Sequence, residues 1–298
     1  MNPQIGATAF LSGYLVLFLL GVGGIGFWRI KRRRESPPLE FKLLRGPGES
    51  LRQRMNKFDE DFLLQLGGAA IAPVGAGLLT VGLLAWLAPQ LRPGYGLTII
   101  GVVFVATLIA AGNWALRRLL RDRDDRLGYL GERSVGETLG ELVERGYRVF
   151  HDLPAGLTAG DFNIDHVVVG SNGVFAIETK TRRKEAARPG HEPHKVIYDG
   201  KRLIWPWAEE TFALEQAEAR ARWLSEWLHQ TAGVEVAALP VLVLPGWYVT
   251  TVVPGTVTVV NHKLLSGALT KAHKAMLSDE QIEIVCRQLE QRCRDVEE

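Results

Sequence analysis

Three long runs without charge, all before Arg117, constrain this chain more than any other feature. No charged side chain occurs from Met1 to Trp28, and residues 6–28 are nearly all apolar or small. Further uncharged stretches cover 62–91 and 93–116. A helix that crosses a bilayer needs about 20 such residues, and each run reaches that length. A secretory signal would carry basic residues ahead of its apolar run and a small-residue cleavage site behind it. Here the charges follow instead, as Arg29, Lys31, Arg32, Arg33 and Arg34. Residues 1–28 therefore read as an uncleaved transmembrane anchor.

The second and third runs meet at the turn-rich connector 89–96, so 62–116 reads as a transmembrane helical hairpin. Pro73 and the glycines Gly67, Gly68, Gly75 and Gly77 would weaken a soluble helix. Inside a bilayer, small residues let helices approach closely, and such faces permit a homo-oligomer. The rival arrangement is one anchor plus two buried core helices. It fails for want of cover, because nothing else in the chain is apolar enough.

Basic residues orient the spans. Ten Lys/Arg lie in the linker 29–61, Arg92 alone lies in the connector, and Arg117, Arg118, Arg121, Arg123 and Arg126 follow the third run. Linker and C-terminal half are expected on the cytoplasmic side of the plasma (inner) membrane. The linker could touch anionic headgroups, although topology alone accounts for its charge. Up to residue 116 there are 11 Lys/Arg against 6 Asp/Glu, and from 117 onward 24 against 27. The net charge of +2 thus belongs to the membrane part and does not argue for nucleic acid.

Residues 117–298 carry ordinary globular punctuation. After a charged stretch (117–126), the pattern predicts a helix over about 129–145, stopped by Gly146, then a strand at 147–152. Strands at 164–169 and 174–180 flank Gly170, Ser171, Asn172 and Gly173, a strong hairpin signal. Asp199-Gly200 marks a second hairpin between 195–198 and 202–205. A helix over about 209–229, β-rich runs at 241–244 and 256–260, and a helix over 279–296 complete the chain. The order implies an α/β domain with a central mixed sheet flanked by helices. Cys286 and Cys293, seven residues apart on one helix face, cannot bridge within that helix and lack partners for zinc. They are expected to be reduced and to pack.

Four polar residues stand where apolar ones belong. Glu132 falls on the helical stripe of Val135, Leu139, Leu142 and Val143. A carboxylate there needs a metal or basic neighbour, or is a first-turn residue favoured by the helix dipole. Asp165 and Glu178 share one face of the hairpin with Lys180. Asp165 faces Glu178 if Ser171-Asn172 makes the turn, and Lys180 if Asn172-Gly173 does. Adjacent carboxylates repel, and a divalent cation is the usual resolution. Lys180 could reach a water on that cation or the charge developing on a phosphate; the plainer account is a salt bridge at a strand end. Gln216 sits on a helix face with Phe212, Ala219, Trp223 and Trp227, where an amide either bonds to backbone or serves a site.

Gly131-Glu132, then 164–170 (IDHVVVG) and 172–180 (NGVFAIETK), with Gln216-Ala217 on the next helix, resembles the nuclease-related domain, NERD. The pattern is also similar to the wider PD-(D/E)XK group of restriction-endonuclease-like folds. The resemblance spans roughly 126–296. It implies that Asp165 and Glu178, with the Thr179 carbonyl, would ligate Mg²⁺ or Mn²⁺, that Lys180 would position the attacking water, and that Glu132 and Gln216 would support the site. The implied reaction is phosphodiester hydrolysis.

From Lys180 to Arg202 eight Lys/Arg stand against three acids. Arg182, Arg183, Lys184, Lys201 and Arg202, near Tyr198, Trp205 and Trp207, make a candidate nucleic-acid face, with DNA the expected ligand. His191 and His194 read as polar surface. The leading expectation is a membrane-anchored nuclease. A non-catalytic binding module on the same fold and a membrane assembly protein are the alternatives.

Overall fold

The computed structural model describes residues 43–155, 162–272 and 276–296. The expected anchor at 1–28 lies outside the described residues, as does the first part of the linker. The described chain divides into two compact units: Arg54–Asp124, and a second made of 43–53 with 125–296.

The first unit is helical. Helix α1 (Glu49–Leu87) and helix α2 (Pro93–Val143) carry the second and third apolar runs. Leu64–Leu87 and the apolar part of α2 are both long and apolar enough to cross a membrane. Two such helices, rather than the three expected, are therefore present among the described residues. Within this unit the helices approach at Gly77, where a Cβ would lie 4.0 Å from Ile100, while Gly68, Gly75, Gly82, Gly101 and Gly112 face open space. Leu79, Leu83, Trp86, Leu97, Val102 and Leu108 are exposed, so these are not core helices of this chain. Helix α2 does not stop at residue 116 and restart near 129, because the charged stretch between contains no proline and only Gly128 as a weak former.

The second unit is mixed α/β with two mixed sheets, where one central sheet was expected. Five strands are ordered β10 (Thr258–Val260), β8 (Leu239–Val243), β4 (Gly173–Thr179), β3 (Phe162–Gly170) and β2 (Arg148–Ala155). β10, β8 and β4 run parallel, while β3 and β2 are antiparallel additions. The smaller sheet joins β7 (Glu209–Glu210), β6 (Leu203–Ile204), β5 (Lys195–Tyr198) and β9 (Tyr248–Thr251). Short β1 (Leu43–Leu44) pairs with β11 (Arg294–Val296).

Helices cover both faces of the larger sheet. On one, Val167, Val169, Val174 and Ala176 pack on α3 (Phe212–Ala232) and α5 (Asp279–Arg292). On the other, Val168, Phe175 and Ile177 pack on Val135, Leu139 and Leu142 of α2 and Leu265 and Leu269 of α4 (His262–Lys271). Every residue of central β4 is buried, so any charge placed on it leaves water. Both cysteines are free thiols. Burial pushes Cys286 up to about 11, which keeps it protonated and unreactive.

Candidate active site

The hairpin register decides what Asp165 faces. Gly170 pairs with Gly173 and His166 with Ile177, so Ser171-Asn172 is the turn. One further step in that register brings Asp165 opposite Glu178. Thr179 N–H donates to Asp165 Oδ2 at 2.7 Å, which fixes the carboxyl against the neighbouring strand. Glu178 is only 2% exposed, and one such carboxylate would be prohibitive without compensation. Two cations compensate it: Lys180 Nζ lies 3.0 Å from Oε1, and Arg220 Nη1 lies 2.7 Å from Oε2.

Arg220 escaped the sequence reading. It projects from α3, one turn after Gln216, onto the face that carries the two acids. Its Nε donates to the Asn163 carbonyl at 2.9 Å. Asn163 in turn is held by Asp152, whose Oδ1 accepts its amide at 2.8 Å. Asp152 is buried and sits at φ 49°, a left-handed conformation uncommon for a residue with a side chain. Its Oδ2 takes Arg45 Nη2 at 2.5 Å and the Ser50 N–H at 2.7 Å. Residues 43–53, expected as plain linker, are thus bonded into the frame behind the site. A buried aspartate at positive φ leaves no mark in hydropathy, and an Arg on a polar helix reads as solvent-facing.

Asp165 keeps some contact with solvent yet is crowded by protein. Burial, and then the charge of Glu178, raise its carboxyl well above the usual range; Arg220, the Thr179 N–H and Lys180 oppose them. Two acids and two bases therefore share one recess. Glu178 Oε2 and Arg220 Nη1 satisfy each other at 2.7 Å, whereas Gln216 Oε1 is buried without a hydrogen bond. Such an atom calls for an additional polar partner.

Glu132 enters from α2, the helix on the opposite face, and is half-buried rather than central to a packed stripe. Val143, placed on that stripe, is exposed. The charges that act most strongly on Asp165 are Glu178, Arg220 and Lys180. What brings Glu132 toward the hairpin end is its neighbour. A Cβ on Gly131 would stand 2.1 Å from Thr181 Cγ2, so only glycine lets α2 meet the chain just beyond Lys180. Gln216 lies at the border of α3's buried face (Ala213, Leu214, Ala217, Ala221), while Phe212 and Ala219 are exposed.

The expected nucleic-acid loop is arranged differently. Arg182 pairs with Glu210 at 2.9 Å, and Arg202 pairs with Asp199 at 2.9 Å and Glu209 at 2.6 Å. Lys184 sits over Trp247, 5.7 Å from its centroid. Tyr198 and Trp205 are buried in the core beneath the smaller sheet, so neither can stack on a base. Arg183 and Lys201 lie exposed in the same region.

A cleft lined by Leu44, Tyr147, Cys286 and Arg287 holds none of these residues. Among the described residues no three His, Cys, Asp or Glu side chains gather as a metal cluster. No curated protein and no solved structure matches the chain. One family does, the nuclease-related domain, and its match contains α2's end, the hairpin and α3. Residues 127–245 of this chain match the model of the nuclease-related domain.

Proposed function

We propose that this domain is a metal-dependent nuclease of the PD-(D/E)XK, restriction-endonuclease-like kind, hydrolysing phosphodiester bonds of nucleic acid, with DNA the first substrate to test. The observation that carries the reading is Glu178, buried between Lys180 and Arg220 beside Asp165. A structural salt bridge needs one acid and one base. A second acid, held close enough to repel, is unexplained by stability alone.

The donors suit a hard divalent cation. Asp165 and Glu178 would hold Mg²⁺ or Mn²⁺, with the Thr179 carbonyl or the unbonded Gln216 Oε1 as a further oxygen and water completing the shell. When bound, such an ion polarises phosphate oxygens and lowers the pKa of its water. Lys180 would hold and orient the attacking water, and Arg220 would meet the charge that builds on phosphorus as the water–phosphorus bond forms and the ester bond breaks. The products are a phosphomonoester and an alcohol, the latter taking up a proton. Glu132 would act from the hairpin end. Arg182, Arg183, Lys184, Lys201 and Arg202 would supply, at most, loose phosphate contact.

The two apolar helices support a membrane-anchored enzyme with this domain on the cytoplasmic side, and their small residues support self-association. A second reading has one observation in its favour: Lys180 and Arg220 already neutralise Glu178, which suits a binding module that needs no metal. A membrane assembly role is the third.

The full chain in detergent, given plasmid and oligonucleotides with Mg²⁺, Mn²⁺ or EDTA, separates these. The nuclease cuts with metal only, and Glu178→Gln or Lys180→Ala abolishes cutting while folding persists. Binding without cutting under either ion favours the module. Neither binding nor cutting leaves assembly.

A further inference from the structure

The stripe of α3 that begins in the site continues beyond it. Gln216, Arg220, Trp223 and Trp227 are spaced four, three and four residues apart, and so lie along one side of the helix over about 16 Å. This is not the side that anchors α3, which is Ala213, Leu214, Ala217, Ala221, Leu224 and Leu228. Trp223 and Trp227 lie nearly parallel, with centroids 5.8 Å apart at 6°. Phe162 meets Trp223 edge-on at 5.7 Å. Arg220 stands 5.9 Å from the Phe162 ring, joining this row to Glu178. At the far end Arg292 lies 5.4 Å from both indoles and is steadied by the Pro154 carbonyl. All three rings and both guanidinium groups keep part of their surface in water.

We infer that this row is the binding track for a single-stranded polynucleotide, leading it to the acids at the hairpin end. Aromatic rings interleaved with guanidinium groups match a strand's alternation of base faces and phosphates. A duplex hides its base faces in its own stack, so it cannot use the row. Continuity supports the assignment, since Arg220 belongs both to the track and to the proposed site. So does contrast, because beside the more basic 182–202 loop Tyr198 and Trp205 are buried, and Arg182 and Arg202 are paired with acids. The inference rests on the nuclease reading for its direction, not for its existence.

The test is binding by the full chain in detergent with EDTA present, which removes cleavage from the measurement. Dye-labelled oligothymidylate, oligouridylate and a duplex of equal length are titrated by anisotropy. Either single strand binds more tightly than duplex, and the two sugars tell DNA from RNA. Trp223→Ala and Trp227→Ala each weaken strand binding on the order of tenfold; Trp227→Phe, which keeps a ring, retains most of it. Photo-cross-linking with bromodeoxyuridine strands needs no variant and labels Trp223 or Trp227. Tighter duplex binding, unchanged binding in both alanine variants of proven fold, absent strand binding, or labels confined to 182–207 would each overturn the track. A chain that binds strands through these tryptophans but never cuts keeps the track and loses the nuclease. A chain that cuts but binds strands without them does the reverse.

Discussion

Lys180 stands between two charged regions of opposite character. On one side, Asp165, Glu178, Lys180 and Arg220 are gathered in a protein-crowded recess with Gln216 Oε1 left unbonded beside them. On the other, the 182–202 loop spreads its cations over the surface, where Arg182 and Arg202 meet acids in water. The loop carries more charge per residue and the recess carries more energy. Exposed pairs contribute little because water and salt screen them. A buried pair costs several kcal/mol to break, since the survivor remains unpaired. Charge density along a chain therefore points to the screened loop, and charge out of water points to the recess proposed as the site.

The largest expected effect is on chemistry. Lys180→Ala or Glu178→Gln should lower metal-dependent cleavage by about a thousandfold or more, read as turnover on a labelled oligonucleotide at saturating metal. Loss of less than tenfold would move the reaction elsewhere.

Next comes a double-mutant cycle. Arg220→Met alone should destabilise the domain by about 1–3 kcal/mol, because Glu178 then keeps only Lys180, and Glu178→Gln in the same chain should recover much of it. The equivalent cycle on Arg202 and Asp199 should show no coupling in denaturant melts. Equal coupling in both cycles would erase the contrast between the regions.

How much of this was legible beforehand follows from what hydropathy and parity can encode. The hairpin, the shared face of Asp165, Glu178 and Lys180, and two apolar helices follow from local spacing. Turn chemistry left two registers, and the Gly170–Gly173 pairing selects one. Arg220 was not legible, because its partner is 42 residues earlier on another element and only packing brings them within 2.7 Å. Nor was the docking of residues 43–53 through Arg45 and Asp152. The burial of Tyr198 and Trp205 was hidden for the same reason: sequence shows an aromatic, not which side of a sheet it fills.

A smaller effect tests how closely α2 meets the hairpin. Gly131→Ala places a Cβ 2.1 Å from Thr181, and should cost about 1–3 kcal/mol in thermal melts. A neutral result would mean the helix stands further from the strand end than the geometry has it.

The smallest concerns the dry face behind the site. His151 and His166 approach within 2.9 Å through their Nδ1 atoms, one donating and one accepting. Burial lowers His151 to about 4 and His166 well below its ordinary value. Between 6.5 and about 4 the unfolded chain binds a proton at His151 that the folded one refuses. Stability is therefore complete above 6.5 and declines on acidification through that window. Asp165, whose carboxyl is raised, acts in the opposite sense. His151→Gln should reduce the slope of melting temperature across that interval, with His166 supplying the remainder, and an unchanged slope would remove His151 from the account.

Because the substrate is open, the recess is tested most directly by the ion. Mn²⁺ titrated into the purified full chain, followed by the loss of its free paramagnetic signal, should reveal one site that Asp165→Asn and Glu178→Gln each abolish and Arg202→Ala leaves intact. Manganese that fails to bind wild type, or binds both carboxylate variants as well as wild type, would contradict the assignment of these acids to a catalytic metal.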